Sequence, residues 1–155
     1  MNNDIPSSAA RFCERDWLGK SARRTCEIRG ELVDRFVEVS GDSSLLHVDD
    51  AAARATGYRG RVVHGMLLGS LVSSVIGTQL PGEVGVLQEI QFSFRNPCYI
   101  GDEITIDVTV SEFHEALQLL FCKVEVRNGS GVLLAKGQFR SGLHGGLANA
   151  APTVR

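Results

Sequence analysis

The sequence predicts an α+β domain in which an antiparallel sheet curls around one long apolar helix. Four strand-like runs fill the second half of the chain, "VLQEIQFSFR", "EITIDVTVSEF", "LQLLFCKVEVR" and "GVLLAKGQFR", and the second alternates apolar and polar residues as half-buried strands do. Asn128-Gly129, between the last two runs, favours a tight hairpin. Ahead of the runs, a helix is predicted from Gly65 to about Gln79, and Pro81 and Gly82 end it. Its large apolar residues are interleaved with glycine and serine, so we expect a buried helix with one small-residue side.

The remaining elements follow in order along the chain. Residues 1–15 are polar and mixed, so we expect a flexible tail. The segment "SARRTCEIRG" can supply a first strand, and "ELVDRFVEVSG" has apolar residues spaced for one helical face, with Gly41 at its end. A short helix in "DDAAARATG" and a loop in "YRGRVVHG" lead to the long helix. We expect one domain over residues 16–142 and a second flexible tail over residues 143–155.

Composition narrows the possible partners and the compartment. The chain has 155 residues, a net charge of −2 and no block of like charges, which argues against nucleic acid or a membrane as the partner. The N-terminal segment lacks the apolar core and cleavage site of a signal peptide, so we expect a cytoplasmic protein. Four dispersed cysteines favour reduced thiols over a disulfide framework or a zinc site: Cys13, Cys26, Cys98 and Cys122.

The stretch "SGDSSLLH" contains a candidate acid/base pair, Asp42 and His47. Taken alone, two such residues five positions apart are a weak signal, and a solvated turn is the simpler interpretation. In a regular helix their side chains would diverge by about 140°. Gly41, Ser43 and Ser44 are compatible with a turn that lets them converge, and serine hydroxyls can support such a turn.

The stretch "VVHGMLLGSLVSS" adds a candidate oxyanion donor at Gly65. Gly65 stands where the long helix is predicted to begin, and the first N–H groups of a helix have no partners inside it. Those groups and the helix dipole favour negative charge on a nearby oxygen. His64 is expected to be a hydrogen-bonding residue at the helix start rather than a catalyst.

Three blocks in fixed order, "FVEVSGDSSLLH", "RVVHGMLLGSLVSSVIGTQLPG" and "FSFRNPCYIGDEITIDVTV", resemble the MaoC-like, (R)-specific enoyl-CoA hydratase family of the hot-dog fold. The resemblance covers roughly residues 18–141. It implies a single hot-dog domain with Asp42 and His47 as the catalytic pair, the Gly65 N–H as the oxyanion donor, and Ser73 as a supporting residue. One departure stands out, because Ser44 and Leu45 replace the family's Asn-Pro. Ser44 is therefore a second, altered supporting position.

The resemblance implies reversible hydration of a trans-2-enoyl thioester to an (R)-3-hydroxyacyl thioester, carried on coenzyme A or an acyl carrier protein. It implies no metal and no cofactor, and a homodimer as the assembly. Two alternatives stay open at this point. A hot-dog thioesterase would hydrolyse the same kind of substrate, and a non-catalytic acyl-binding subunit would tolerate the loss of Asn-Pro.

Overall fold

The structure, a computed structural model, describes residues 12–144. Within that range the helices are α1 (Gly30–Ser40), α2 (Leu45–Val48), α3 (Asp50–Ala55) and α4 (Gly65–Thr78). The strands are β1 (Ser21–Glu27), β2 (Gly85–Phe94), β3 (Glu103–His114), β4 (Leu119–Asn128) and β5 (Leu133–Leu143). Short 3-10 turns lie at Glu14–Asp16 and Gly82–Val84.

The five strands form one antiparallel sheet in the order β1-β3-β4-β5-β2. The predicted alternation of β3 is confirmed, because one of its faces is 0–2% exposed (Ile104, Ile106, Val108 and Val110). The same pattern continues on β4, whose inward residues are 0–1% exposed (Leu120, Cys122, Val124 and Val126). One face of the sheet is therefore an apolar wall, and the other carries the polar residues.

Helix α4 packs against this apolar wall and completes the core. Its large side chains are buried with those of β3 and β4 in one hydrophobic cluster (Leu67, Leu68, Val72, Val75 and Ile76). Its small residues Ser70, Ser73 and Gly77 lie on the exposed side. The predicted α+β architecture, a sheet wrapped around a long helix, is confirmed.

Two details differ from the sequence prediction. The Phe12 N–H donates to Gln118 Oε1 at 2.8 Å, and Gln118 Nε2 donates back to Phe12 O at 3.0 Å. Hydrogen-bonded structure therefore includes Phe12, which lies ahead of the predicted boundary at residue 16. At the other end β5 includes Leu143, one residue beyond the predicted domain. The rest of both predicted tails, residues 1–11 and 145–155, lies outside the described range.

Three further features bear on the predicted class and partners. No helix among residues 12–144 is long and apolar enough to cross a membrane. All four cysteines are free thiols, as their dispersed spacing predicted. Strands β1 and β2 lie at the two ends of the strand order, so each has an edge that is not paired within this sheet.

Candidate active site

The chain reaches the site through a left-handed turn at the end of α1. Gly41 has a φ of 74°, a conformation that glycine adopts without strain, and its N–H donates to Val37 O at 2.8 Å. The next residue is Asp42, whose Oδ1 accepts a hydrogen bond from the Ser44 N–H at 3.2 Å. This Asx-type turn holds one carboxylate oxygen against the backbone and leaves the other, Oδ2, toward α2.

His47 lies on α2, and its ring is fixed by a carbonyl from a loop fifteen residues away. Its Nδ1 is 2.6 Å from Val62 O. Because a carbonyl can only accept, Nδ1 carries a proton and the neutral ring presents an unprotonated Nε2. That Nε2 is 3.9 Å from Asp42 Oδ2, too far for a direct hydrogen bond and near enough for one water molecule to contact both.

The loop before α4 holds α2 through hydrogen bonds to two main-chain carbonyls of α2. The Val62 N–H donates to Leu46 O at 3.0 Å, and Arg61 Nε donates to His47 O at 2.6 Å. The Arg61 guanidinium also pairs with Asp34 on α1. Three segments that are distant in sequence therefore fix the position of the His47 ring.

Gly65 is the first residue of α4, as predicted. The N–H groups of Leu67 and Leu68 donate back to His64 O at 3.0 and 3.4 Å. The Gly65 N–H has no hydrogen-bond partner within residues 12–144. His64 is the N-cap residue, and its side chain does not cap the helix. An N–H at the positive end of the helix is thus available to an oxygen that gains negative charge.

Phe94 at the end of β2 lies directly against Gly65. A Cβ atom on Gly65 would stand 2.9–3.1 Å from three atoms of the Phe94 ring, closer than carbon atoms normally approach. Phe94 is 50% exposed, so its ring covers Gly65 from the solvent side. Glycine at this position is what allows the ring to approach the start of α4.

Two cavities of about 360 Å³ each meet at the residues just described. Both are lined by His47, Gly65 and Phe94. One extends past Asp42 and Met66, and the other extends along apolar residues toward a polar rim. The two cavities therefore adjoin at the start of α4.

The predicted site residues are partly brought together. Asp42, His47 and Gly65 line one cavity. Ser44 contributes main-chain groups, since its N–H bonds Asp42 and its carbonyl accepts from the His47 N–H at 2.8 Å. Ser73 is not close to them: it is exposed on α4, eight residues after Gly65, which corresponds to about 12 Å along the helix axis. The supporting role of Ser73 stays a prediction.

Other polar residues have the structural roles that the sequence indicated. Asp49 caps α3, its Oδ1 accepting from the Ala52 N–H at 2.7 Å. Asp102 closes the turn before β3, its Oδ2 accepting from the Tyr99 N–H at 2.9 Å. His114 is exposed and pairs with Glu112 on the surface.

Sequence reasoning missed one close contact of His47, which is the stacked ring of His64. The two imidazoles are stacked with centroids 3.8 Å apart and an interplanar angle of 26°. His64 Nε2 is 3.0 Å from Asp42 O, so it donates to that carbonyl. The expected hydrogen bond at the helix start is present, but its partner lies in the turn after α1 that contains Asp42. Only the HG pair in "VVHG" pointed to this position, without indicating what it contacts.

A metal ion is a further candidate ligand of this site, because one ligand atom each of Asp42, His47 and His64 lies within 4.8 Å of the others. The two rings are stacked with an interplanar angle of 26°, so their lone pairs lie in nearly parallel planes, which is a poor arrangement for binding one ion. One nitrogen of each ring is already hydrogen-bonded to a main-chain carbonyl. This donor set suits proton transfer better than tetrahedral or octahedral coordination.

Cys98 lines one of the two cavities and is 2% exposed. Burial, reinforced by the nearby Asp102 carboxylate, raises the pKa of the Cys98 thiol to about 12. Burial alone raises the pKa of Cys122, in the sheet core, to about 12. A protonated thiol is a poor nucleophile, so Cys98 does not supply covalent chemistry to the site.

Comparison with known proteins adds an independent observation to this geometry. The family model described as "MaoC like domain" matches residues 19–130. An (R)-specific enoyl-CoA hydratase of Aeromonas caviae is 33% identical over 121 residues, which are 78% of this chain and 90% of that protein. The solved (R)-hydratase structure from A. caviae superposes with a TM-score of 0.78 and 32% identity, over 81% of this chain and 96% of that one.

A plant relative matches a smaller region. The mitochondrial 3-hydroxyacyl-[acyl-carrier-protein] dehydratase of Arabidopsis thaliana is 41% identical over 87 residues. That region is 56% of this chain and 51% of the plant protein. The chain thus spans about half of the plant relative and nearly the whole length of the bacterial one.

Proposed function

This chain belongs to the MaoC-like domain family, as the match over residues 19–130 shows, and on that premise we propose that it interconverts trans-2-enoyl and (R)-3-hydroxyacyl thioesters by adding or removing water. The resemblance predicted from the sequence is confirmed, and so is the hot-dog fold. The observation that carries the proposal is the placement of three groups in one cavity: the Asp42 carboxylate, the His47 ring and the N–H at the start of α4.

Asp42 and His47 hold the reacting water between them. His47 Nε2 is unprotonated because Nδ1 donates to Val62 O, so it can accept a proton from that water. Asp42 Oδ2, 3.9 Å away, accepts the second water hydrogen and orients the oxygen. Water attacks C3 of the enoyl group, and the proton taken up by the pair is returned to C2. In the reverse direction the pair removes the C2 proton and protonates the leaving hydroxyl.

Gly65 stabilises the charge that develops between these two proton transfers. While C3 is bonded to the new oxygen and C2 still lacks its proton, negative charge spreads onto the thioester oxygen. The Gly65 N–H donates to that oxygen at the positive end of α4. One donor of this kind contributes about 2.7–4 kcal/mol to transition-state stabilisation. The Phe94 ring lies against Gly65 and bounds one side of the space next to this N–H.

The departure from the family's Asn-Pro pattern leaves this geometry in place. The Asx-type bond to Asp42 uses the Ser44 backbone N–H, which any residue except proline supplies. Leu45 begins α2 and is 64% exposed, so its side chain does not line the core. The replacement affects the stiffness of the turn more than the identity of its catalytic groups.

A two-channel assay tests the proposed function against its alternatives. The protein is incubated with crotonyl-CoA while enoyl absorbance and free thiol are followed together. The proposed hydratase lowers the absorbance without releasing thiol. Thiol release at the same rate would indicate a thioesterase, and no change in either channel would indicate an acyl-binding subunit; either outcome refutes the proposal.

The carrier, the assembly and the location also belong to the proposal. Both coenzyme A and an acyl carrier protein fit, because the names of the relatives include each. We propose a cytoplasmic homodimer, and the dimer is supported by the unpaired edges of β1 and β2 and by the exposed small residues of α4. Sedimentation at low micromolar concentration decides the assembly, since an active monomer of 16.8 kDa contradicts it.

A further inference from the structure

The His64 ring fills the space between the catalytic turn and the start of α4. It is 2% exposed. On one side it stacks on His47, with centroids 3.8 Å apart, and on the other it meets the Phe36 ring at 5.1 Å. Its Nε2–H donates to Asp42 O at 3.0 Å. A single side chain therefore contacts the main chain of one member of the pair and the ring of the other.

The other ring nitrogen of His64, Nδ1, makes no comparable contact. Nδ1 is buried and has no hydrogen-bond partner within the described residues. Burying a polar nitrogen without a partner lowers stability. Phenylalanine has a similar shape, would keep the stack and would remove this unpaired atom. For stability alone a phenylalanine would therefore serve as well as histidine or better.

The position of His64 at the start of α4 also indicates a role other than stabilising the fold. As the N-cap residue it occupies a site where serine, threonine, aspartate or asparagine usually accept a hydrogen bond from the first turn. The His64 side chain turns away and bonds Asp42 O instead. The first N–H groups of α4 are thereby left to the substrate.

We infer that His64 is a positioning residue, which sets the gap between the Asp42 carboxylate and His47 Nε2 by bonding the backbone of one and stacking on the ring of the other. The inference rests on the proposed function and deepens it. The 3.9 Å gap holds the water, so a change in either contact misplaces the water or the base. Displacements of about 1 Å can lower a rate by as much as a hundredfold.

Two substitutions separate the two contacts. His64→Phe keeps the stack and loses the hydrogen bond to Asp42 O. His64→Gln supplies an N–H that can reach the same carbonyl and loses the stack. For His64→Phe we expect kcat to fall by about tenfold or more, with KM within about threefold of wild type and a melting temperature that is unchanged or higher. For His64→Gln we expect kcat to recover part of the loss.

Two controls accompany these variants. His114→Phe is the same exchange at an exposed histidine outside both cavities, and it should leave kcat and KM unchanged. Val75→Ala removes buried volume from α4 far from Gly65, so it should lower the melting temperature and leave kcat unchanged.

The inference is overturned if kcat of His64→Phe equals that of wild type. It is also overturned if kcat and melting temperature fall together, because that is the result of a purely structural role. A readout independent of turnover is the imidazole ¹H–¹⁵N NMR spectrum, in which His64 should be the Nε2–H tautomer and His47 the Nδ1–H tautomer. Other tautomers would contradict the inference even if the wild type proved inactive, whereas an inactive wild type with these tautomers refutes the proposed function alone.

Discussion

Replacing Gly65 by alanine tests the proposed oxyanion donor through a defined steric change. The new Cβ would stand 2.9, 3.0 and 3.1 Å from three Phe94 ring atoms. Carbon atoms in contact are normally about 3.5–4.0 Å apart, so the ring or the first turn of α4 must move by about 0.5–1 Å. Phe94 is half exposed and can move outward at little cost in stability. Either movement disturbs the space next to the Gly65 N–H.

We expect Gly65→Ala to lower kcat/KM on crotonyl-CoA by about 10–100-fold, the cost of misplacing a reacting group by that distance. The melting temperature should change little or rise, because alanine is a better helix former than glycine. Gly77→Ala in the same helix is the matched control, since nothing lies within 4 Å of its Cβ. That variant should gain stability of about 1 kcal/mol and keep full activity.

Steady-state kinetics and thermal melts of the two variants decide the question. A third variant, Gly65→Ala with Phe94→Ala, tells whether loss of activity arises from the displaced ring, because it removes the clash. Wild-type kcat/KM for Gly65→Ala would refute the argument that close packing of Phe94 on Gly65 shapes the space in which this N–H meets the substrate oxygen. Equal losses in both glycine variants would show that helix geometry in general, and not the Phe94 contact, sets the rate.

The remaining predictions concern the turn and the thiols. Leu45→Pro should raise the free energy of unfolding by about 0.4–1 kcal/mol. Leu45 is the first residue of α2, and Ser44 (φ −50°, ψ 133°) already has the conformation that a following proline requires. Denaturant unfolding measures this change, and a lower free energy of unfolding would contradict the prediction. In the double variant Ser44→Asn with Leu45→Pro, the effect on kcat/KM with enoyl thioesters should be larger than the effect on stability. Unchanged kinetics on every acyl chain length would show that replacing the family's Asn-Pro has no functional meaning. Iodoacetamide at pH 8 should leave Cys98 and Cys122 unmodified in the folded protein, because burial raises both pKa values to about 12, and mass spectrometry of peptides would expose an error. The folded pKa of each thiol lies above the unfolded value of about 8.5, so its contribution to stability is fully present below pH 8.5 and is lost as pH rises toward 12, by about 1.4 kcal/mol per pH unit. Cys122→Val should show a shallower alkaline loss of stability, and an identical slope would contradict the assignment.

Periodicity and turn chemistry were sufficient to predict the scaffold. The alternation in "EITIDVTVSEF" and the Asn128-Gly129 turn located β3 and the β4–β5 hairpin, because these signals are local. Gly65 was correctly placed at the start of α4 for the same reason. Helix α2 was missed, because a single turn over Leu45–Val48 is too short to have a period.

The sequence nominated members of the candidate site but could not predict their arrangement. Asp42 and His47 converge because Gly41 reverses the chain and because Val62 O fixes the His47 ring. The first cause is a local glycine signal. The second joins residues that are distant in sequence, as does the stacking of His64, and no pattern within one segment encodes such contacts. The sequence therefore nominated the candidate acid/base groups, and tertiary packing determines their distance and tautomers.

The most direct test of the central claim is the turnover of crotonyl-CoA by Asp42→Asn and His47→Gln beside the wild type. Each substitution removes one proton-transfer group with little change in volume. We predict that the wild type consumes enoyl absorbance without releasing thiol, and that each variant loses about 10²–10⁴-fold in kcat while its melting temperature stays within a few degrees of wild type. Near-wild-type turnover by either variant would contradict the assignment of Asp42 and His47 as the catalytic pair.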